Sequence, residues 1–151
     1  MVPETDRRAL GRFGETVAEG FLRRQGYEIV ARNWRCRQGE IDLVAREGGD
    51  WVIVEVRTRR SATCGTPEES LTPAKQRRLL RAAVAFFQER ELEDVPWRID
   101  LVAVELDRAG RPARVEVIPA AVTAMGTESK VRRAILDGMD PQDAYLKWGK
   151  F

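Results

Sequence analysis

Histidine is absent from this 151-residue sequence, and cysteine occurs only as Cys36 and Cys64. The missing histidine excludes Ser-His-Asp and Cys-His catalysis, zinc sites built on histidine, and an imidazole acting as general acid or base. The two cysteines are too far apart in sequence for a CxxC-type metal site. If the protein is an enzyme, its chemistry must rest on carboxylates or on arginine.

Lysine is also scarce, with only four lysines among the 26 basic residues. Nearly all the positive charge is therefore guanidinium, which suits bidentate contacts with phosphate but is more simply explained by compositional bias. The basic residues are balanced by 24 acidic ones, which leaves a net charge of +2. Bulk charge alone does not predict a nucleic-acid partner.

Long apolar runs are missing too. No segment reaches the ~18 residues of a membrane helix, and the charged opening MVPETDRR is unlike a signal peptide, so we expect a cytoplasmic protein without membrane association. A chain of this length with 43% hydrophobic residues can bury about 70% of its unfolded surface in a single core. We predict one domain over residues 1–120 and a C-terminal helical extension over residues 121–151.

The hydrophobic pattern predicts an α/β fold with the element order αβββαβ and a weaker final strand. Apolar residues recur at helical spacing over 7–25, and three strand-length segments follow, with Gly48-Gly49 joining the second to the third. Thr72 and Pro73 are suitable as the N-cap and first residue of a second helix. The strand-like segments are YEIVARNW, GEIDLVARE, WVIVEVRT, RIDLVAVEL and ARVEVI.

Two short helices are predicted in the C-terminal extension, TESKVRRAILDG and DPQDAYLKW. Thr127 and Asp140 are suitable residues for their N-termini. Their apolar side chains are typical of docking residues that pack on the domain or on a partner. A homodimer formed through these helices is therefore one expectation.

The Gly48-Gly49 turn sets the register between the second and third strands. A two-residue hairpin places Asp42 directly opposite Glu55 on one face, and Glu40 opposite Arg57. The other face is then predicted to carry Ile41, Leu43, Ala45, Val52, Val54 and Val56.

Two facing carboxylates are unfavourable unless a positive group lies beside them. A hard divalent cation, held by these carboxylates, waters and phosphate oxygens, would meet that need and provide a hydrolytic centre. Alternatively, Arg57 pairs with Glu40 and also neutralises Asp42 and Glu55, which leaves a solvated surface without metal. The spacing supports both interpretations equally.

Basic side chains are concentrated around this pair, and no acidic residue occurs between Ala74 and Gln88. They predict a basic rim facing phosphates, although charges on an exposed helix face are ordinarily only solvated. On the first helix, Glu15 and Glu19 lie four residues apart, and a surface position is the default for both. The basic residues concerned are Arg59, Arg60, Lys75, Arg77, Arg78 and Arg81.

Four ordered blocks resemble the uncharacterised bacterial YraN-like family over roughly residues 10–106. They are GRFGETVAEGFLRRQGYEIVARNWRCRQGEIDLVA, WVIVEVRTRRS, TPAKQRRLLRAA and RIDLVAVEL. That family is placed in the restriction-endonuclease-like PD-(D/E)xK superfamily and is similar to archaeal Holliday junction resolvases. The resemblance implies an αβββαβ core, with a mixed central sheet flanked by helices and a metal-dependent nuclease site on the second and third strands.

Three acidic positions match metal ligands of that superfamily: Asp42 in GEIDLVA, Glu55 in VEVRTR and Glu15 in FGETVAEGFL. The resemblance implies that these residues hold Mg²⁺ or Mn²⁺. Arg57 departs from the pattern, because the motif has a lysine there that is thought to orient the attacking water. Arginine keeps the positive charge but cannot lose a proton near neutral pH. Lys75, which matches a helix lysine of the family, could supply a lysine from the neighbouring helix.

With the resemblance included, the sequence predicts a metal-dependent nuclease, with branched or flapped DNA as the expected substrate. The competing hypothesis is a non-catalytic module that keeps the nuclease fold and binds nucleic acid or another protein. The predicted catalytic residues are Asp42, Glu55 and Arg57, the metal ligands are Glu15, Asp42 and Glu55, and the nucleic-acid-binding residues are Arg59, Arg60, Lys75 and Arg78.

Overall fold

A computed structural model describes residues 7–60, 65–92, 95–122 and 137–140, together with Asp143 and Lys147. The predicted element order and the weaker final strand are both confirmed. The two predicted C-terminal helices lie mostly outside the described residues, and the boundary at residue 120 stays a prediction. The elements are α1 (Arg7–Arg24), β1 (Glu28–Cys36), β2 (Gly39–Glu47), β3 (Asp50–Arg60), a 3₁₀ turn (Glu68–Ser70), α2 (Pro73–Glu89), β4 (Trp97–Leu106) and β5 (Pro112–Ile118).

The five strands form one mixed sheet in the order β1-β2-β3-β4-β5. β3 and β4 are parallel because α2 carries the chain back between them, whereas every other neighbouring pair is antiparallel. α1 and α2 cover opposite faces of the sheet. The fold is thus the mixed sheet flanked by helices that was predicted, consistent with a restriction-endonuclease-like core.

Two hydrophobic clusters fill the space between the sheet and its helices. On one face, Ala18 and Leu22 of α1 pack against Leu43, Val54 and Val102. On the other face, the apolar side of α2 covers the sheet and packs against it through a group of edge-to-face and stacked aromatic rings from the helix and the strands. Those rings belong to Trp34, Trp51, Phe86, Phe87 and Trp97. No helix among residues 7–60, 65–92 and 95–122 is long and apolar enough to cross a membrane.

The β2–β3 hairpin has the register that its glycine pair predicts. Glu47 pairs with Asp50, and Gly48 adopts a φ of 58°, which glycine reaches without strain. The face prediction is right for five of the six apolar residues and wrong for Ile41, which packs in the α2 cluster. At this point the β1–β2 ladder pairs Arg32 with Leu43 and Trp34 with Ile41, and Asn33 between them has a φ of 49°, which departs from extended backbone.

Candidate functional site

The site begins where β2 and β3 separate. Their ladder ends at the pair Leu43 and Val54, one step short of the predicted opposition of Asp42 and Glu55. A continued ladder would bring Val56 opposite the backbone of Ile41. Instead, the Val56 N–H donates to Oδ2 of Asp42 at 2.8 Å. The Asp42 carboxylate thus takes the place of a backbone acceptor between two strands.

Asp42 lies beside two further carboxyl groups. Burial raises the pKa of Glu55 to about 10, a hydrogen bond with Asp42 and its negative charge add to the rise, and the charge of Arg57 opposes it. Burial also raises the pKa of Glu15 to about 7, again reinforced by a hydrogen bond with Asp42 and by its charge. Two carboxyl groups can share a hydrogen bond only when one of them is protonated. Glu15 and Glu55 therefore hold protons that isolated carboxylates would release.

Gly14 is the residue that lets α1 bring Glu15 to this cluster. A Cβ atom built on Gly14 would lie 1.8 Å from Oγ1 of Thr58 on β3, so the helix approaches this closely only because it has no side chain there. Glu19, one helical turn further on, instead forms ion pairs with Arg32 and Arg23. The structure thus places Glu15 in the acidic cluster and Glu19 in surface ion pairs, although the sequence predicts a surface position for both.

Arg57 does not form the predicted alternative ion pair with Glu40. Its Nε donates to Oγ of Ser70 at 2.7 Å, and Glu40 lies 3.6 Å from Nε of Arg35. Within the described part of the chain, no carboxylate oxygen lies within 4.0 Å of the Arg57 guanidinium. The acids are therefore not neutralised by a direct salt bridge with Arg57.

A pocket of about 290 Å³ joins the acids to part of the predicted basic rim. Glu15 is not among its lining residues, and Arg59 and Arg60 also lie outside the lining. Arg81 points elsewhere, because it forms an ion pair with Asp140 at 3.3 Å. The lining residues are Gly39, Glu40, Asp42, Glu55, Arg57, Lys75, Arg78 and Leu79.

Lys75 lies in a strongly positive environment within this pocket. The charge of Arg57 lowers the pKa of Lys75, and burial and the charges of Arg59 and Arg78 lower it further, while Glu55 opposes them. The N-cap geometry fixes this position, since the Lys75 N–H donates to Oγ1 of Thr72 at 3.3 Å, as the sequence predicts. Lys75 is therefore placed between the basic rim and the acids.

The donor set limits how a metal could bind. Among the residues that the structure describes, no group of three or more His, Cys, Asp or Glu side chains is arranged to hold a metal ion. Asp42 and Glu55 offer oxygen atoms only, which suits a hard cation such as Mg²⁺. Mg²⁺ commonly uses one or two carboxylates and completes its coordination with waters and phosphate oxygens. The pair fits that mode of binding rather than a cage of protein ligands.

Three residues that shape the site were not predicted from the sequence. Gly14 could have been noticed as a small residue next to Glu15, whereas Ser70, which holds Arg57, has no signal in the sequence. Gly39 is a third, because a Cβ there would lie 3.3 Å from the backbone oxygen of Arg78 and would press on α2. These residues control distances between elements, which hydrophobic periodicity does not report.

The chain matches the family described as "Uncharacterised protein family UPF0102" over residues 14–104. A UPF0102 protein of Roseiflexus castenholzii is 50% identical over 117 residues, which cover 77% of this chain and 94% of the relative. UPF0102 proteins of an Arthrobacter species and of Moorella thermoacetica are 51% and 49% identical, with coverage of 71% and 76% of this chain and 90% and 96% of the relatives. The matched region contains every member of the acidic cluster and the whole pocket lining. The chain therefore belongs to the UPF0102 family, the family whose resemblance is described above as YraN-like.

Proposed function

We propose that this protein is a metal-dependent nuclease that hydrolyses phosphodiester bonds in nucleic acid, with branched DNA as the favoured substrate. The observation that carries the proposal is the Asp42 carboxylate, inserted between two strands beside Glu55 and Glu15 and next to a pocket with three basic side chains. Clustered carboxylates beside cationic groups suit hydrolysis of a phosphodiester, because they can hold a divalent cation while the cationic groups stabilise charge on the phosphate. The resemblance to PD-(D/E)xK nucleases supports the same chemistry.

Each residue has a distinct role in this proposal. Asp42 and Glu55 would hold Mg²⁺ or Mn²⁺, which supplies positive charge that stabilises the phosphorane-like transition state, and Glu15 would support them. Arg57, fixed by Ser70, would bind a non-bridging phosphate oxygen. Water attacks phosphorus and gives its proton to one of the clustered carboxylates. The bond from phosphorus to the leaving oxygen breaks, and solvent protonates that oxygen.

Lys75 would take the place of the lysine that the E-x-K element lacks. It lines the same pocket as Glu55 and Arg57 but approaches from α2. An ammonium group can orient a water molecule as well as contact phosphate, whereas a guanidinium serves mainly as a fixed bidentate donor. The proposal thus divides the role of one motif residue between Arg57 and Lys75.

The test is cleavage of end-labelled branched and single-stranded DNA by the purified protein with Mn²⁺. We expect cleavage that EDTA and Asp42→Asn each abolish, while Glu19→Gln, which changes an acid on the same helix as Glu15, retains it. Arg57→Lys should raise the rate if the missing motif lysine limits catalysis. Absence of cleavage on every DNA form, or cleavage that survives Asp42→Asn, would contradict the proposal.

The second candidate is a non-catalytic nucleic-acid-binding or scaffold module with the same fold. Arg57 at the lysine position favours it, as does the lack of a three-ligand metal group among the described residues. The two candidates differ in their response to metal, because only a site that binds its ion in the folded state raises the melting temperature with Mn²⁺.

A further inference from the structure

A second groove lies on the other side of the acidic cluster, between the first turns of α1 and the strand β1. Its volume is about 650 Å³. Glu40 lines both this groove and the pocket beside Asp42, and Glu15 lines the groove while bonding with Asp42. The two depressions are therefore neighbours that meet at the acids.

Half of the residues that line the groove are arginines, and two are glutamates. Arg7, Arg8 and Arg12 come from α1 and Arg35 comes from β1, with Gly11 and Asn33 between them. Gly11 has no side chain, and a Cβ atom built there would meet nothing within 4 Å. The wall of the groove is therefore open at that point. Two separate elements thus contribute guanidinium groups to one concave surface.

These arginines differ from a set of arginines elsewhere in the described chain that are balanced by carboxylates. Arg23, Arg32, Arg98 and Arg114 each form ion pairs with carboxylates. In contrast, within residues 7–60, 65–92 and 95–122, no carboxylate lies within salt-bridge distance of the three arginines of the first turns of α1, and Arg35 has only a long, exposed pair with Glu40. Glu15 and Glu40 also line the groove, but among its described residues only the long Arg35–Glu40 pair is formed, so the guanidinium groups are suited to an anionic ligand.

We infer that this groove binds the phosphate backbone of the nucleic acid on the side of the acids opposite Lys75 and Arg78. The inference rests on the proposed function for the identity of the ligand. With cationic surfaces on both sides, the nucleic acid continues past the acids in both directions. The substrate is therefore an internal region of a polynucleotide rather than a chain end or a mononucleotide.

The test compares two double variants of the same helix that remove equal charge. The groove variant is Arg8→Ala/Arg12→Ala, and the control is Arg23→Ala/Arg24→Ala at the far end of α1. Binding to a fluorescein-labelled duplex DNA of about 20 base pairs, two helical turns, is measured by anisotropy over a range of salt concentrations with EDTA present, so that cleavage cannot occur.

We expect the groove variant to bind about tenfold more weakly and to lower the slope of log K against log salt by nearly 2, since each lost phosphate contact removes about 0.9. The control should keep the slope of the wild type. Arg8→Lys/Arg12→Lys should also keep most of the wild-type slope, because it retains both positive charges. This variant therefore distinguishes a loss of charge from a loss of folding.

Equal losses in the groove variant and the control would overturn the inference, because net charge alone would then explain binding. An unchanged slope in the groove variant, or no binding by the wild type, would overturn it as well. Failure of the nuclease proposal has a different signature, namely DNA binding that depends on the groove without any cleavage in Mn²⁺.

Discussion

Two groups of acidic residues on the same sheet are stabilised in opposite ways. Asp100 on β4 is fully buried, yet Arg98 lies 3.0 Å from it, the Tyr27 hydroxyl donates to it at 3.2 Å, and the Ala120 N–H donates at 2.9 Å. Asp42 accepts only one backbone N–H among the hydrogen bonds of the described residues, and its other neighbours are carboxyl groups.

This difference shows that the chain can neutralise a buried acid with its own residues. Asp100 has a cation, a hydroxyl and an amide, whereas Asp42 has one backbone amide and two neighbouring carboxyl groups. Burying carboxylates without a counter-ion is unfavourable, so such an arrangement needs a function to explain it. We take the missing counter-ion at Asp42 to be one that arrives from outside the chain.

The largest predicted effect concerns Asp100, the buried acid that has a counter-ion within the chain. Arg98→Ala removes the cation from buried Asp100 and should lower the free energy of unfolding by about 3–4 kcal/mol, measured by urea denaturation. Arg111→Ala, in the β4–β5 turn, removes an equal charge from an exposed side chain and should change it by less than about 0.5 kcal/mol. A loss below about 1 kcal/mol for Arg98→Ala would contradict this account of Asp100.

The second effect is steric. Gly14→Ala should lower the free energy of unfolding by about 2–3 kcal/mol and reduce any nuclease activity, because the new methyl group meets Thr58 and moves Glu15 away from Asp42. Gly11→Ala on the same helix has open space and should stabilise the protein by up to about 1 kcal/mol. Adding Thr58→Ala should rescue Gly14→Ala, and no rescue would mean that the close approach does not position Glu15.

The third effect is a pH dependence that comes from the uncompensated site. The pKa values of Glu15 and Glu55 are raised above the ordinary 4.5, so the folded state holds their protons and loses stability as pH rises toward 7 for Glu15 and toward 10 for Glu55. Glu19 and Glu68 have lowered pKa values, so their contribution is fully present above about pH 5 and does not oppose the trend.

Between pH 5 and pH 8, with EDTA present, the wild type should lose less than the full value of both pKa shifts, because solvent screens the two partly exposed side chains. We expect a loss on the order of 2 kcal/mol, or roughly 5 °C in melting temperature. Asp42→Asn should make the curve shallower, because it removes the charge that adds to burial in raising both pKa values. A melting temperature of the wild type that rises across this range would show that the acids are compensated after all.

The smallest effect has the opposite sign to that at Arg98. Glu55→Gln keeps the shape of the side chain and its hydrogen bond to Asp42 but removes the proton-dependent charge, so it should stabilise the metal-free protein by about 1 kcal/mol at pH 8 while abolishing cleavage. Glu40→Gln, at the exposed edge of the pocket, is the matched control and should change the stability little. If Glu55→Gln instead destabilises the protein, the Glu55 carboxyl group contributes to the stability of the fold, as Asp100 does.

Much of this architecture could be predicted from the sequence. The glycine pair at 48–49 fixes the register of β2 on β3, and helical periodicity and Thr72 locate both helices. The direct opposition of Asp42 and Glu55 could not be predicted accurately, because a ladder pattern cannot show that the pairing ends at Leu43 and Val54 and that the Asp42 carboxylate accepts from the backbone of Val56. The role of Glu15 was predicted only from the resemblance. Its position beside Asp42 depends on the close approach of Gly14 to Thr58, which lie on different elements.

The most direct test of the central claim is the melting temperature of the wild type, Asp42→Asn and Glu19→Gln as Mn²⁺ is added at pH 8. If an external cation is the missing counter-ion, the wild type and Glu19→Gln should gain about 2.7 kcal/mol of stability at a Mn²⁺ concentration 100 times the Kd. Asp42→Asn should gain none. Equal melting temperatures of the wild type with and without Mn²⁺ would contradict the claim.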